Sequence, residues 1–331
     1  MTWRNALLGV AYGDAWGAPH EFASYEQITT PHEQGPQFPT DAQVTDDTQM
    51  ALALADALHD TDGWSEEFVF DAIVNAFVGY YNDEDNTAER APGGTVMSSL
   101  SKIDAGHAWY AATDLRSKGC GTVMRTAAVM NLDESVWRRV AAFQSLVTHA
   151  NPTATVASVL TTAVLRQAQT TGQGNLLNLA LDLANDPSLT DGLDDLVAPV
   201  LDLHGLPGDS YFTDGLTEVR AAMVKAKTAL DDTFRSDPWA GDICDAAGQG
   251  WIAEETVAVA LLAADALPDD PTQALRRAVM TGGDSDSIGA VAGSFIGAAN
   301  GSDTKLWPSW WNGALEVRYA AWIDDASTYW P

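Results

Sequence analysis

Apolar residues recur at helical spacing along nearly the whole chain. Residues 3–15 open with one apolar-rich segment, 47–59 are dense in Ala and Leu, and 66–81 follow. Within 135–147, Val136, Val140, Phe143 and Val147 fall on one helical face. The same pattern continues over 153–169, 176–184, 215–230 and 254–267. Pro152, Pro187, Pro207, Pro268 and Pro271 stand between these segments, where helices should stop. Alternating strand patterns and Asn-Gly hairpin turns are nearly absent. The pattern predicts an all-α, single compact multi-helix domain over residues 1–331, with no linker and no internal repeat. The loosest stretch, 29–43, carries Pro31, Pro36 and Pro39 and reads as a functional loop or lid.

One segment near the C-terminus predicts a particular kind of packing. Gly289, Gly293 and Gly297 recur every fourth residue between small neighbours. A glycine inside a helix costs about 1 kcal/mol, so three on one face imply that another helix passes very close. This central helix starts at a polar cluster.

Charge narrows the partners. The chain has 46 Asp+Glu against 17 Lys+Arg, a net charge of −29. Such a surface repels a nucleic-acid backbone or an anionic membrane. The 46% hydrophobic content and 12 Trp argue for a buried core rather than disorder. Two cysteines, Cys120 and Cys244, make neither a disulfide framework nor a thiolate zinc site. No basic leader and no apolar run of roughly 18 residues is seen. The expectation is a soluble, cytoplasmic monomer.

Two acidic clusters stand out. Thr45-Asp46-Asp47-Thr48 opens one apolar helix, and Thr281-Gly282-Gly283-Asp284-Ser285-Asp286-Ser287 opens the glycine-faced one. Capping is the ordinary explanation, since Asp, Ser and Thr satisfy free N–H groups at helix starts. Each cluster nevertheless holds more carboxylates than a cap uses. Brought together, they would repel unless cations lay between them. With oxygen donors only, and no sulfur or histidine nearby, Mg²⁺, Mn²⁺ or Ca²⁺ would suit better than Zn²⁺.

Five motifs in order resemble the ADP-ribosylglycohydrolase family, which includes dinitrogenase-reductase-activating enzymes and ADP-ribosyl-acceptor hydrolases. They are Gly9-Val10-Ala11-Tyr12-Gly13-Asp14 with Glu21-Phe22, Thr45-Asp46-Asp47-Thr48, Gly119-Cys120-Gly121-Thr122-Val123-Met124-Arg125, Thr148-His149-Ala150-Asn151-Pro152, and Gly282-Gly283-Asp284-Ser285-Asp286-Ser287. The resemblance implies an all-α fold around a dinuclear site holding two divalent cations, Mg²⁺ or Mn²⁺. It assigns Thr45, Asp46 and Asp47 to one metal, Asp284 and Ser287 to the other, and Asp286 to both. Ser287 replaces the family's threonine and keeps the hydroxyl.

On the same basis Glu21 and Asp47 are the catalytic residues, with Glu21 as acid or base at the scissile bond. ADP-ribose contacts fall on Asp14, Gly93, Gly94, Thr95, Ser117, Lys118, Gly119, Gly121, Met124 and His149. The glycine-rich loops precede helix starts, whose free N–H groups suit a diphosphate. Asp14 reads equally as a bond to nearby backbone, and His149 as a satisfied core histidine. Asn151 stands where the family has a second histidine, and Thr126-Ala127-Ala128 where a branched residue and a proline are common. The C-terminal aromatics, Trp307, Trp310, Trp311, Tyr319, Trp322 and Trp330, read as core packing rather than a stacking platform.

The expected function is metal-dependent hydrolysis of the bond between ADP-ribose and a protein side chain or small acceptor. The alternative is a non-catalytic ADP-ribose-binding or structural member of the fold. Acceptor choice is expected to lie in loops such as 29–43.

Overall fold

Capping side chains set where several helices begin. In a computed structural model, which describes residues 2–29, 35–59, 61, 63, 65–301 and 303–330, Asn151 Oδ1 accepts from Thr153 N–H at 2.9 Å and starts the Pro152–Thr171 helix. Asp270 accepts from Gln273 N–H at 3.1 Å and starts Pro271–Val279. Pro152 and Pro271 therefore open helices rather than end them, because the first helical position needs no N–H donor.

Each predicted helical segment matches a helix, with ends overrunning by at most two residues: Thr2–Gly17, Asp46–Leu58, Glu66–Tyr81, Trp137–Leu146, Pro152–Thr171, Leu176–Asn185, Tyr211–Ala229, Ala253–Ala266 and Ser285–Ala299. Further helices, Gly94–Asp104, Asp194–His204, Pro271–Val279 and Val317–Ala326, complete the bundle. Among the described residues there is no named strand, only isolated bridges such as Gly119 with Ile252. No described helix is long and apolar enough to cross a membrane.

The glycine-faced helix Ser285–Ala299 packs antiparallel on Thr2–Gly17. A Cβ on Gly293 would sit 1.9 Å from Gly9 O, and one on Gly13 would sit 1.9 Å from Gly289 O. At the far end, a Cβ on Gly17 would meet Ser285 O at 2.3 Å. Both helices thus carry the small-residue stripe, and their backbones touch over the whole crossing. The antiparallel sense puts the start of the last long helix beside the end of the first.

The buried residues form one continuous core, and the C-terminal aromatics largely join it. Trp311 stacks on Phe38 with centroids 4.4 Å apart and edges onto Tyr12 and Trp16. Phe38 belongs to the expected lid. Its burial, with the Ala42 N–H to Ala314 O bond at 2.9 Å, fastens the segment 35–43 to the aromatic cluster. Residues 30–34 of that expectation lie outside the described residues.

Candidate active site

The first acidic cluster is fixed from behind by Asp14. This carboxylate, on the N-terminal helix, accepts from Thr45 N–H (2.9 Å), Thr45 Oγ1 (2.9 Å), Thr48 N–H (3.1 Å) and Thr48 Oγ1 (2.5 Å). It ties down the start of Asp46–Leu58, where free donors and the helix dipole favour a negative group. Asp46 Oδ2 accepts from Gly93 N–H at 3.1 Å. Asp47 Oδ2 accepts from the Ser287 hydroxyl at 3.3 Å and lies 3.3 Å from Thr45 Oγ1, whose proton goes to Asp14. The other Asp47 oxygen, Oδ1, is buried without any hydrogen-bond partner.

The second cluster is a turn locked by backbone contacts. Asp284 N–H donates to Gln249 O at 2.8 Å, and Gly282 N–H to Asp242 Oδ2 at 2.8 Å. A Cβ on Gly283 would come 2.2 Å from Gln249 O, so only glycine lets these segments meet. Ser285 Oγ donates to Gly17 O at 2.9 Å, joining the turn to the end of the first helix. Asp284 occupies the cap position of Ser285–Ala299, yet its side chain makes no cap bond. Capping therefore does not account for Asp284.

The helix crossing brings the two clusters and Glu21 together. One carboxylate oxygen each from Glu21, Asp284 and Asp286 lies within 4.8 Å of the others. Burial, reinforced by the Asp286 charge, pushes the Glu21 carboxyl up to about 8 and Asp14 up to about 7. Burial likewise holds Asp46, Asp47 and Asp284 well above the usual carboxylate range. Removed from water and pressed on one another, these groups either hold protons or need compensating positive charge. The donor set is mostly hard oxygen, and a buried orphan oxygen faces it; such a site could hold a divalent cation.

A cavity of about 330 Å³ opens over this cluster. Its wall includes Glu21, Asp46, Asp47, Gly93, Gly94, Thr95, Gly119, Gly121, Met124, His149, Asp284, Asp286 and Ser287. Asp14, Thr45, Ser117 and Lys118 are not on that wall. Asp14 spends its oxygens on Thr45 and Thr48, as the backbone reading anticipated. Ser117 Oγ lies 2.9 Å from Thr95 Oγ1 and braces it. The Lys118 ammonium, expected as a diphosphate contact, is instead paired with Glu218 at 2.8 Å and with Glu254. No described residue of 29–43 past the Tyr25–Thr29 helix lines the cavity either, since Phe38 draws 35–43 toward the aromatic cluster.

His149 is buried, and Nδ1 lies 2.9 Å from Thr148 Oγ1. That hydroxyl also accepts from Arg125 at 2.9 Å and donates to Ser145 O at 3.5 Å. Burial and the Arg125 charge push the imidazole down to about 3, so it is neutral. A Cβ on Gly119 would come 2.9 Å from Nε2, which explains the glycine.

Of the wall residues to which sequence reasoning gave no role, two carry aromatic or thiol side chains. Trp251 reaches the cavity mouth and stacks on Phe22, centroids 6.0 Å apart and planes 12° apart. Phe22, next to Glu21, is 82% exposed. An exposed aromatic has no periodic signature, so Trp251 was not legible and Phe22 stood out only as the motif neighbour of Glu21. Cys120 is the other, discounted because only disulfides and thiolate zinc sites were considered for it.

The ADP-ribosylglycohydrolase family model matches residues 3–328. The chain belongs to that family. ADP-ribosylglycohydrolase membership supports hydrolysis of an ADP-ribosyl bond as the class of activity. ADP-ribosylarginine hydrolase Tri1 of Pseudomonas putida (strain GB-1) is 31% identical over 157 residues, 44% of this chain and 41% of that protein. The match thus spans well under half of that relative's length. An uncharacterized protein of Archaeoglobus fulgidus is 25% identical over 320 residues, covering 92% of this chain and 89% of that one. A solved ADP-ribosylglycohydrolase-related protein complex has the same fold, with TM-score 0.59, 23% identity, and coverage of 98% of this chain and 96% of that one.

Proposed function

We propose that this ADP-ribosylglycohydrolase uses two divalent cations, Mg²⁺ or Mn²⁺, to hydrolyse the bond between ADP-ribose and an acceptor side chain or small molecule. The observation that carries the reading is the orphaned Asp47 Oδ1, buried on the wall of the cavity where Glu21, Asp284 and Asp286 converge. Thr45, Asp46 and Asp47 would hold one ion, Asp284 and Ser287 the other, and Asp286 both. When bound, such ions neutralise the carboxylates, engage ribose hydroxyls and lower the pKa of a nearby water.

Glu21 stands at the cavity rim with its carboxyl pushed up to about 8, which suits it to give a proton to the leaving atom. Asp47 lines the cavity beside it and serves as the second catalytic carboxylate. Gly93 precedes the Gly94–Asp104 helix, whose first N–H groups face the cavity as donors for a diphosphate. His149, neutral and with Nε2 toward Gly119, adds one more polar group to the wall. In a chain of net charge −29, neutral donors of this kind are the way to hold a diphosphate once Lys118 is committed elsewhere.

The test is release of free ADP-ribose from arginine-, serine- and small-molecule-linked substrates, with Mg²⁺ or Mn²⁺ and with EDTA. Turnover that EDTA abolishes is expected, and Asp286→Ala should abolish it too. Arginine linkage comes first in the panel, following the activity named for the Pseudomonas relative. ADP-ribose binding without turnover of any substrate would overturn the catalytic reading in favour of a binding protein.

A further inference from the structure

The oxygen cluster has a sulfur neighbour. Cys120 lies on the cavity wall, and its thiol is within hydrogen-bonding reach of the Asp284 carboxylate and the Ser287 hydroxyl. Its position is constrained on both sides. Cys120 N–H donates to Trp251 O at 3.3 Å, and the flanking Gly119 and Gly121 sit against His149 so closely that a Cβ on Gly119 would come 2.9 Å from Nε2. Asp47, on the same wall, accepts from the Ser287 hydroxyl through Oδ2 and leaves Oδ1 buried without a partner, a second observation that points to a cation beside Ser287.

Carboxylates and hydroxyls suit Mg²⁺, Mn²⁺ and Ca²⁺, whereas sulfur favours softer ions such as Zn²⁺ and Cd²⁺. A single sulfur at the edge of an oxygen set therefore alters which ion is held. We propose that Cys120 is a cation-selecting residue: it adds a sulfur donor to the Asp284–Ser287 half of the site, so that thiophilic divalent ions bind there more tightly than Mg²⁺ or Mn²⁺. This inference rests on the cation-site reading given under Proposed function. On coordination the S–H proton passes to solvent as the metal–sulfur bond forms. Cys244 provides an internal control. It is buried behind the same turn, where a Cβ on Gly283 would meet its Sγ at 2.8 Å, and it is not on the cavity wall.

The full chain is titrated with Cd²⁺ while the ultraviolet thiolate-to-cadmium charge-transfer band is followed. The wild type should develop a band that saturates near about one equivalent, since one sulfur is available. Cys120→Ser should show no band and bind Cd²⁺ about tenfold or more weakly, a loss of about 1.4 kcal/mol. Its Mn²⁺ affinity, read by electron paramagnetic resonance, should change by less than about threefold, because the oxygen donors remain. Cys244→Ser should keep the band. An unchanged band in Cys120→Ser, or no band in a wild type that does bind Mn²⁺, overturns the proposal alone. A wild type that binds neither ion overturns the cation-site reading as well.

Discussion

At the residue scale, Glu21 and Asp14 have separate tasks that experiment can distinguish. Glu21 faces the cavity and is the acid or base, so Glu21→Gln should lower kcat by about 10²–10⁴-fold while the chain still folds. Asp14 faces the helix start, so Asp14→Ala should cost about 1–3 kcal/mol in chemical denaturation, because buried donors of Thr45 and Thr48 lose their acceptor. Its effect on turnover should follow from weaker Mn²⁺ binding, as Asp46 and Asp47 lose their placement. Proton linkage gives a third outcome. Folding raises Asp14 from 3.8 to about 7 and Glu21 from 4.5 to about 8, so above about pH 4 the cation-free folded state binds more protons than the unfolded chain. Stability from these groups is present at low pH and lost as pH rises through about 7 to 8. A cation replaces those protons, so the Mn²⁺-induced rise in melting temperature should be larger near pH 8 than near pH 5. A shift that shrinks with rising pH would contradict the arrangement.

At the element scale, the motif carboxylates were legible because they come as short runs with excess charge, and the helices because their apolar stripes are regular. Helix Asp194–His204 escaped since Pro199 lies inside it, and Pro271–Val279 because its proline was taken for a stop rather than a start. The stripe Gly289, Gly293, Gly297 announced a close neighbour, but its mate was hidden: Gly9, Gly13 and Gly17 have the same spacing, and the first two read as part of a motif. Periodicity within one helix says nothing about which other helix it meets. Gly293→Ala should destabilise by about 3 kcal/mol or more, because the methyl would press on the Gly9 backbone, which cannot yield as a side chain would. Gly79→Ala, inside Glu66–Tyr81 with nothing within 4 Å of the added Cβ, should instead stabilise by about 0.5–1 kcal/mol. Urea unfolding of the two variants checks both signs.

At the scale of the whole molecule, the charge acquires a geography. Part of the acidity is drawn inward, where Asp14, Asp46, Asp47, Asp284 and Asp286 are all buried. Basic side chains are correspondingly occupied: Arg90 holds Asp85 and Glu316, Arg139 holds Glu66 and Asp195, and Lys118 holds Glu218 and Glu254. Composition gave the excess of acid but not this division, because a count carries no coordinates.

The crossing of the first and last long helices also sets an order of events during synthesis. Gly9 is made long before Gly293, so this contact closes a very long loop. Contacts this distant in sequence are slow to form, and loop-closure entropy must be met before they return anything. Until the segment 285–299 has left the ribosome, the N-terminal helix has no backbone to lie against and Glu21 has no Asp284 or Asp286 beside it. Until then the chain holds Asp46 and Asp47 without Asp284 and Asp286, and the full acidic cluster exists only when the last long helix docks on the first.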